Sequence, residues 1–259
     1  MRVVIQKDFQ SLSAWTAKFI ADRINDFGPT EDRPFVLGLP TGSSPVGTYK
    51  ALIALYKEGY VSFKHVTTFN MDEYVGLGVG DPQSYHTFMQ ENLFDHIDIN
   101  KEHTHIPNGM ANDLEAECER YEEAIKAAGG IDLFLGGVGG DGHIAFNEPF
   151  SSFDSRTRSI GLTEHTRQAN SRFFDNNIDL VPRYALTVGV KTVMEAKEVV
   201  ILINGANKAQ ALHAAVEGPL TQAWPISTLQ LHKEAIVVCD EAACGELKVS
   251  TYNYFKALA

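Results

Sequence analysis

Residues 131–149 read IDLFLGGVGGDGHIAFNEP. The first five, Ile131–Leu135, are apolar but for Asp132 and have the length of a strand. The glycine-rich segment behind it is the kind of loop that α/β proteins place at the end of a parallel strand. Gly137, Gly139 and Gly142 formally satisfy G-x-G-x-x-G. A dinucleotide site would need a helix to open at once. Asn147-Glu148-Pro149 resists one, so the nicotinamide reading is set aside. Asp141, His143 and Glu148 remain as three titratable groups in a backbone free to fold tightly around a ligand. His titrates near neutrality, and a neighbouring carboxylate can fix its tautomer. The set suits proton transfer to and from an oxygen. The alternative is an acidic turn around a satisfied histidine. Asp-x-His offers a metal two ligands and no evident third.

Outward from this stretch, short β-branched runs alternate with amphipathic ones. Strands are expected at Arg2–Ile5, Phe35–Leu39, Val66–Asn70, Val199–Ile203 and Ala235–Cys239, and Tyr184–Val188 reads as a strand or as the lead-in to the next helix. Helices are expected after Asp8, over Pro45–Lys57, around Tyr85–Leu93, over Asp113–Ala128, Glu164–Phe174 and Ala206–Val216, and at Thr251–Leu258. The alternation predicts an α/β fold: a doubly wound, mostly parallel, Rossmann-like sheet with helices on both faces. No low-complexity linker divides residues 1–259, so a single domain is expected.

In such a sheet the residues just after each strand matter most. Thr41, Gly42, Ser43 and Ser44 follow Phe35–Leu39 and precede a helix, which suits either a phosphate or a plain helix start. Asp72 and Glu73 follow Val66–Asn70 and read as a base, a metal ligand, or a turn and helix cap. Lys208 sits at a helix start, where the dipole disfavours a cation unless an anion binds. The remaining histidines, His103 and His105 included, carry no comparable context.

The chain's 259 residues carry a net charge of −11, which disfavours non-specific nucleic-acid binding. The 44% hydrophobic content argues against disorder. Cys118, Cys239 and Cys244 show no C-x-x-C spacing, the N-terminus lacks a signal-peptide pattern, and no apolar run could span a bilayer. A reducing, cytoplasmic setting without membrane attachment is expected.

Phe-Asn-Met-Asp-Glu-Tyr-Val-Gly at 69–76 and Asp-Gly-His-Ile-Ala-Phe-Asn-Glu-Pro at 141–149 closely resemble motifs of the glucosamine-6-phosphate deaminase (isomerase) family. Further matching stretches are Pro34–Gly42, Ser62–Gly76, Ser151–Arg158, Ala169–Asp175, Pro182–Gly189 and Glu246–Val249. The resemblance implies conversion of glucosamine 6-phosphate and water to fructose 6-phosphate and ammonia, in amino-sugar catabolism, with neither a metal nor another cofactor. It gives ring opening to His143 with Asp141 and Glu148, and enolisation to Asp72. It puts the substrate and its phosphate on Thr41, Gly42, Ser43, Ser44, Gly137, Arg172 and Lys208, under a lid around 160–185. Many members are hexamers activated by N-acetylglucosamine 6-phosphate. Ser151, Arg158 and Tyr254 match that allosteric site, whereas Ile160 stands where the family has lysine. A phosphogluconolactonase, a sugar-phosphate-sensing regulator and an inactive homologue are the competing readings. A lactonase needs no C2 base such as Asp72, a regulator usually carries a DNA-binding segment, and all four proposed catalytic residues are present here.

Overall fold

Strand residues alternate between two cores. In β1 (Arg2–Gln6), Val4 faces one core while Val3 and Ile5 face the other. Leu133 and Leu135 of β6 (Leu133–Gly137) take the first side and Phe134 the second. β9 (Glu198–Ile203) and β10 (Ala235–Asp240) repeat the pattern: Val200, Leu202, Ile236 and Val238 lie opposite Val199, Ile201, Val237 and Cys239. Period-two side chains buried on both faces require helices above and below the sheet. The first core is closed by α1 (Phe9–Phe27), α2 (Val46–Lys57) and α3 (Tyr85–Asn92), through residues such as Ile20, Leu52 and Met89. The second is closed by α4 (Leu114–Ala127) and α7 (Ala209–Val216), through Tyr121, Ile125 and Leu212. Caps set the helix ends: Asp8 accepts from the Ser11 N–H, Gly28 ends α1 at φ 59°, and Asp113 caps α4.

The computed structural model describes residues 1–258. With β2 (Phe35–Leu39), β3 (Val66–Asn70) and β5 (Thr104–His105), the main sheet has seven strands in the order β1-β10-β9-β6-β2-β3-β5. Every pairing in it is parallel. From β2 the chain runs outward to β3 and β5, then returns to β6 on the other side of β2. The winding therefore reverses between β2 and β6, and a crevice opens beyond their carboxyl ends. The expected doubly wound single domain is present.

A second sheet was not expected. β4 (Asp72–Tyr74) and β7 (Arg158–Gly161) flank β8 (Tyr184–Thr187) in antiparallel pairing, with Asp72 opposite Thr187 and Ile160 opposite Ala185. The Asp72-Glu73 segment is thus a buried strand, not a helix cap. Asp and Glu are poor strand formers, and pairing with distant residues overrides that preference. β6 lies two residues later than the apolar run suggested: Gly136 and Gly137 pair with Ile201 and Leu202, as strand rather than loop. Glu164–Phe174 divides into α5 (Glu164–Asn170) and a 3-10 turn at Ser171–Phe173. Lys208 ends a 3-10 turn, Ala206–Lys208, before α7 begins. The short α6 (Val190–Met194) follows β8, and α8 (Val249–Lys256) closes the chain.

Candidate active site

Four strand ends converge on the crevice. Behind β2, Gly42 takes φ 86°, a left-handed conformation that disfavours any side chain, and turns the Thr41–Ser44 loop toward α2. Tyr49 is fully buried and its hydroxyl donates to the Pro40 carbonyl at 2.5 Å, tying the loop to α2. Burial raises the Tyr85 hydroxyl pKa well above its ordinary value, with the Thr41 hydroxyl pulling the other way. Behind β9, the Lys208 ammonium donates to the Ser44 hydroxyl at 2.9 Å. A Cβ on Gly137 would lie 3.7 Å from that of Ser44, so the end of β6 abuts the same loop. Lys208 is half-buried, and burial lowers its pKa to about 8, with the Arg172 cation pushing the same way. Arg172 is exposed, on the turn after α5, with its guanidinium 4.7 Å from the centre of the Phe173 ring. Lys208 thus touches a loop of hydroxyls and N–H groups, and the Arg172 charge acts on Lys208 from the turn after α5; groups of this kind suit an anion.

Behind β3, Met71 is pinned between sheets: its N–H donates to the Leu39 carbonyl and its own carbonyl accepts from Val188. This fixes Asp72, which is 7% exposed. Burial, with a smaller push from the Glu73 charge, raises its carboxyl pKa to about 8. Glu73 is also pushed up by burial, to about 7, against the pull of N–H donors from Tyr74, Tyr85 and His86.

Behind β6, Asp141 Oδ1 lies 2.7 Å from Nδ1 of His143 and also accepts the His143 backbone N–H at 3.3 Å. Burial raises the Asp141 pKa, but the His143 contacts outweigh it and hold the group below its ordinary value. With Asp141 ionised, Nδ1 carries the proton and Nε2 is left as the acceptor. A Cβ on Gly139 would sit 2.1 Å from Cε1 of His143, so the ring occupies the space that this glycine leaves open. Asn147 is fully buried and donates to the carbonyls of Ile144 and Val188, locking the loop to the second sheet. Ala145, between His143 and Glu148, is held at φ 52°, a strained conformation for a residue with a side chain.

The Glu148 carboxylate accepts from the hydroxyls of Thr163 and Thr166, at the start of α5. Asn170 donates to the Tyr74 hydroxyl at 3.0 Å, and Phe174 packs edge-on against Tyr74. These tethers, with Tyr85 and Asn147, escaped the sequence reading. Tyr74, Asn147, Asn170 and Phe174 lie inside the matching stretches, whereas Thr163, Thr166 and Tyr85 carry no such signal.

The allosteric candidates do not gather. Arg158 bonds only the Arg156 carbonyl, Ser151 donates through its backbone to Glu148, and Tyr254 is 62% exposed on α8. Ile160 packs against the cluster of Tyr74, Phe146 and Phe174. No group of three or more His, Cys, Asp or Glu side chains among the described residues is arranged to hold a metal ion.

Fold and site define a class: an α/β enzyme with titratable groups on the loops behind its parallel strands, around one topological switch point. The chain belongs to the glucosamine-6-phosphate isomerase/6-phosphogluconolactonase family, whose model matches residues 7–238. It is 62% identical over 256 residues to a glucosamine-6-phosphate deaminase of Porphyromonas gingivalis, covering 99% of this chain and 97% of that protein. The deaminase of Phocaeicola vulgatus is 64% identical with the same coverage. A solved structure described as a monomeric glucosamine-6-phosphate deaminase superposes with a TM-score of 0.90 at 44% identity, covering 94% of this chain and 99% of that one. A 6-phosphogluconolactonase from Trypanosoma cruzi shares the fold, with a TM-score of 0.75 at 17% identity and coverage of 95% and 97%.

Proposed function

We propose that this enzyme converts glucosamine 6-phosphate and water to fructose 6-phosphate and ammonia, in amino-sugar catabolism. The buried Asp72 carboxyl carries the reading. Hydrolysis of a lactone needs no base for a C2 proton, whereas isomerisation does. The deaminases that are over 60% identical support the same choice.

The phosphate is held by Thr41–Ser44, Arg172 and Lys208, beside Gly137. His143, oriented by Asp141, moves the anomeric proton to the ring oxygen and so opens the ring. Glu148 serves the same step once its threonine partners release it. Asp72 removes the C2 proton, giving an enolamine, and returns a proton to C1. The C2 imine so formed takes up water and releases ammonia, leaving the ketose. A base that must both accept and return a proton works best with a pKa near the ambient pH, and the raised value of Asp72 meets that demand. Residues 160–185 form the lid: α5 and the Ser171–Phe173 turn carry Arg172 and reach Glu148 and Tyr74. The three cysteines are free thiols, which supports a reducing, cytoplasmic setting.

Ammonia and fructose 6-phosphate released from glucosamine 6-phosphate by the purified protein test the proposal directly. A folded protein that releases neither refutes it.

We also propose that N-acetylglucosamine 6-phosphate activates this enzyme weakly or not at all. Ile160 removes a charge-assisted phosphate contact of roughly 1.5–3 kcal/mol and is committed to the apolar cluster under the lid. Initial rates with and without that ligand should superimpose. A sigmoidal substrate curve made hyperbolic by it would sink the idea.

A further inference from the structure

Asp240, the last residue of β10, is 6% exposed and takes no part in the chemistry above. Its two carboxylate oxygens accept the Gly205 N–H at 2.9 and 3.1 Å, and Oδ1 also accepts the Ala243 N–H at 3.0 Å. Gly205 stands at φ 88° directly behind β9. Its carbonyl accepts the Lys208 N–H at 3.0 Å, closing the turn that aims the ammonium at Ser44. We propose that Asp240 is the positioning residue of the phosphate site: it fixes the Gly205–Lys208 turn, which aims the Lys208 ammonium at Ser44, and sets a counter-charge behind that turn. The inference rests on the reading of Lys208 as a phosphate ligand.

The charges acting on Lys208 are few. Burial disfavours its ammonium form, Arg172 from the turn after α5 adds repulsion, and Asp240 is the charge that opposes both. A carboxylate in direct contact with the ammonium would compete with the incoming phosphate. Asp240 instead commits its oxygens to backbone N–H groups, and Lys208 Nζ bonds the neutral Ser44 hydroxyl. The counter-charge therefore acts without filling the site. An arriving phosphate dianion takes over that charge and needs to displace only a neutral partner.

Asp240 also caps the 3-10 turn that follows it, so a purely structural role must be separated. Asp240→Asn keeps a carbonyl acceptor and removes the charge. Wild type, Asp240→Asn, Lys208→Ala and the double variant are compared for kcat, KM for glucosamine 6-phosphate, and competitive inhibition by inorganic phosphate from about pH 6.5 to 9. Asp240→Asn should raise KM and the phosphate inhibition constant roughly tenfold near pH 8, change kcat no more than about twofold, and move the alkaline loss of phosphate affinity down by about one pH unit. In the Lys208→Ala background the substitution should have no further effect on phosphate. Wild-type phosphate affinity and pH dependence in folded Asp240→Asn overturn the proposal, as does an undiminished effect without Lys208. If Lys208→Ala alone leaves phosphate inhibition unchanged, the phosphate-site reading falls first, and this inference falls with it. Should Asp240→Asn not fold, Asp240→Ser keeps an uncharged acceptor and carries the same test.

Discussion

A carboxyl group shut away from water gives up its proton reluctantly, and Asp72 is shaped by that cost. Its folded pKa of about 8 lies well above the ordinary carboxylate value, so the folded chain holds this proton more tightly than the unfolded chain does. The resulting stabilisation is full below about pH 4 and is lost as pH rises through about 8. Asp72→Asn keeps a neutral side chain at every pH. It should lower kcat roughly a thousandfold with KM near wild type. Its melting temperature should exceed that of wild type by several degrees at about pH 9 and by little at about pH 4.5. Thermal melts at both pH values check this; a variant less stable than wild type at the higher one excludes the burial account. The proposed mechanism needs Asp72 ionised and Lys208 charged, and burial brings both pKa values to about 8, from opposite sides. The profile of kcat/KM should therefore be a narrow bell centred near pH 8, and a flat profile from about pH 6 to 9 would remove both assignments. The sequence marked Asp72 through its place behind an apolar strand. It did not disclose the burial, which comes from elements as far apart as Tyr49, Tyr85 and Tyr121, whose own titrations feel the Asp72 charge.

Elements decide how tightly the acid–base loop is held. The His143 ring lies where a Cβ on Gly139 would go, so Gly139→Ala must push the imidazole away from Asp141. A displacement of that kind should lower kcat about a hundredfold, with little change in KM, since the phosphate contacts lie on other loops. Steady-state kinetics check it, and wild-type kcat would show that the ring has another place to sit. At the proposed lid, Thr166→Val with Asn170→Ala removes one of the two hydroxyl bonds to Glu148 and the bond to Tyr74. The variant should be cleaved faster by protease within 160–185, and substrate should slow that cleavage by drawing Arg172 back over the site. Equal cleavage in variant and wild type would mean that the Thr163 bond and the aromatic cluster hold the segment without these two bonds. The apolar strands β2, β9 and β10 were legible because both their faces are buried, and β3 through its β-branched Val-Thr-Thr run. β4 and β7 were not: three or four residues such as Asp-Glu-Tyr carry no period of their own, and become strands only against β8. The Glu164–Phe174 pattern named a helix correctly but could not mark its stop at Asn170, where no glycine or proline intervenes.

The whole molecule poses an electrostatic problem and an assembly problem. A chain of net charge −11 must attract a sugar phosphate, and the sequence total shows only the repulsion. The answer proposed above lies in placement: Lys208, behind β9, reaches Ser44, behind β2, across the end of β6, and the charge of Arg172 from the turn after α5 is felt there. Assembly turns on α8. That helix has no fully buried residue and exposes Val249 and Tyr254, at 75% and 62%. Leu258 just beyond it is 64% exposed. Apolar side chains concentrated on one terminal segment favour burial against another copy over exposure to water. With the family resemblance, this leads us to expect a hexamer. Light scattering on the eluting protein should give roughly six times the 28.5 kDa of one chain. Val249→Asp with Tyr254→Asp should lower that mass while leaving the circular dichroism of the folded chain unchanged, since neither side chain belongs to the core. A single-chain mass for the unaltered protein would overturn the expectation and align its assembly with the 44% identical structure described as monomeric. The exposed face of α8 would then be a solvated surface, and a site for N-acetylglucosamine 6-phosphate built between subunits would have no partner subunit to complete it.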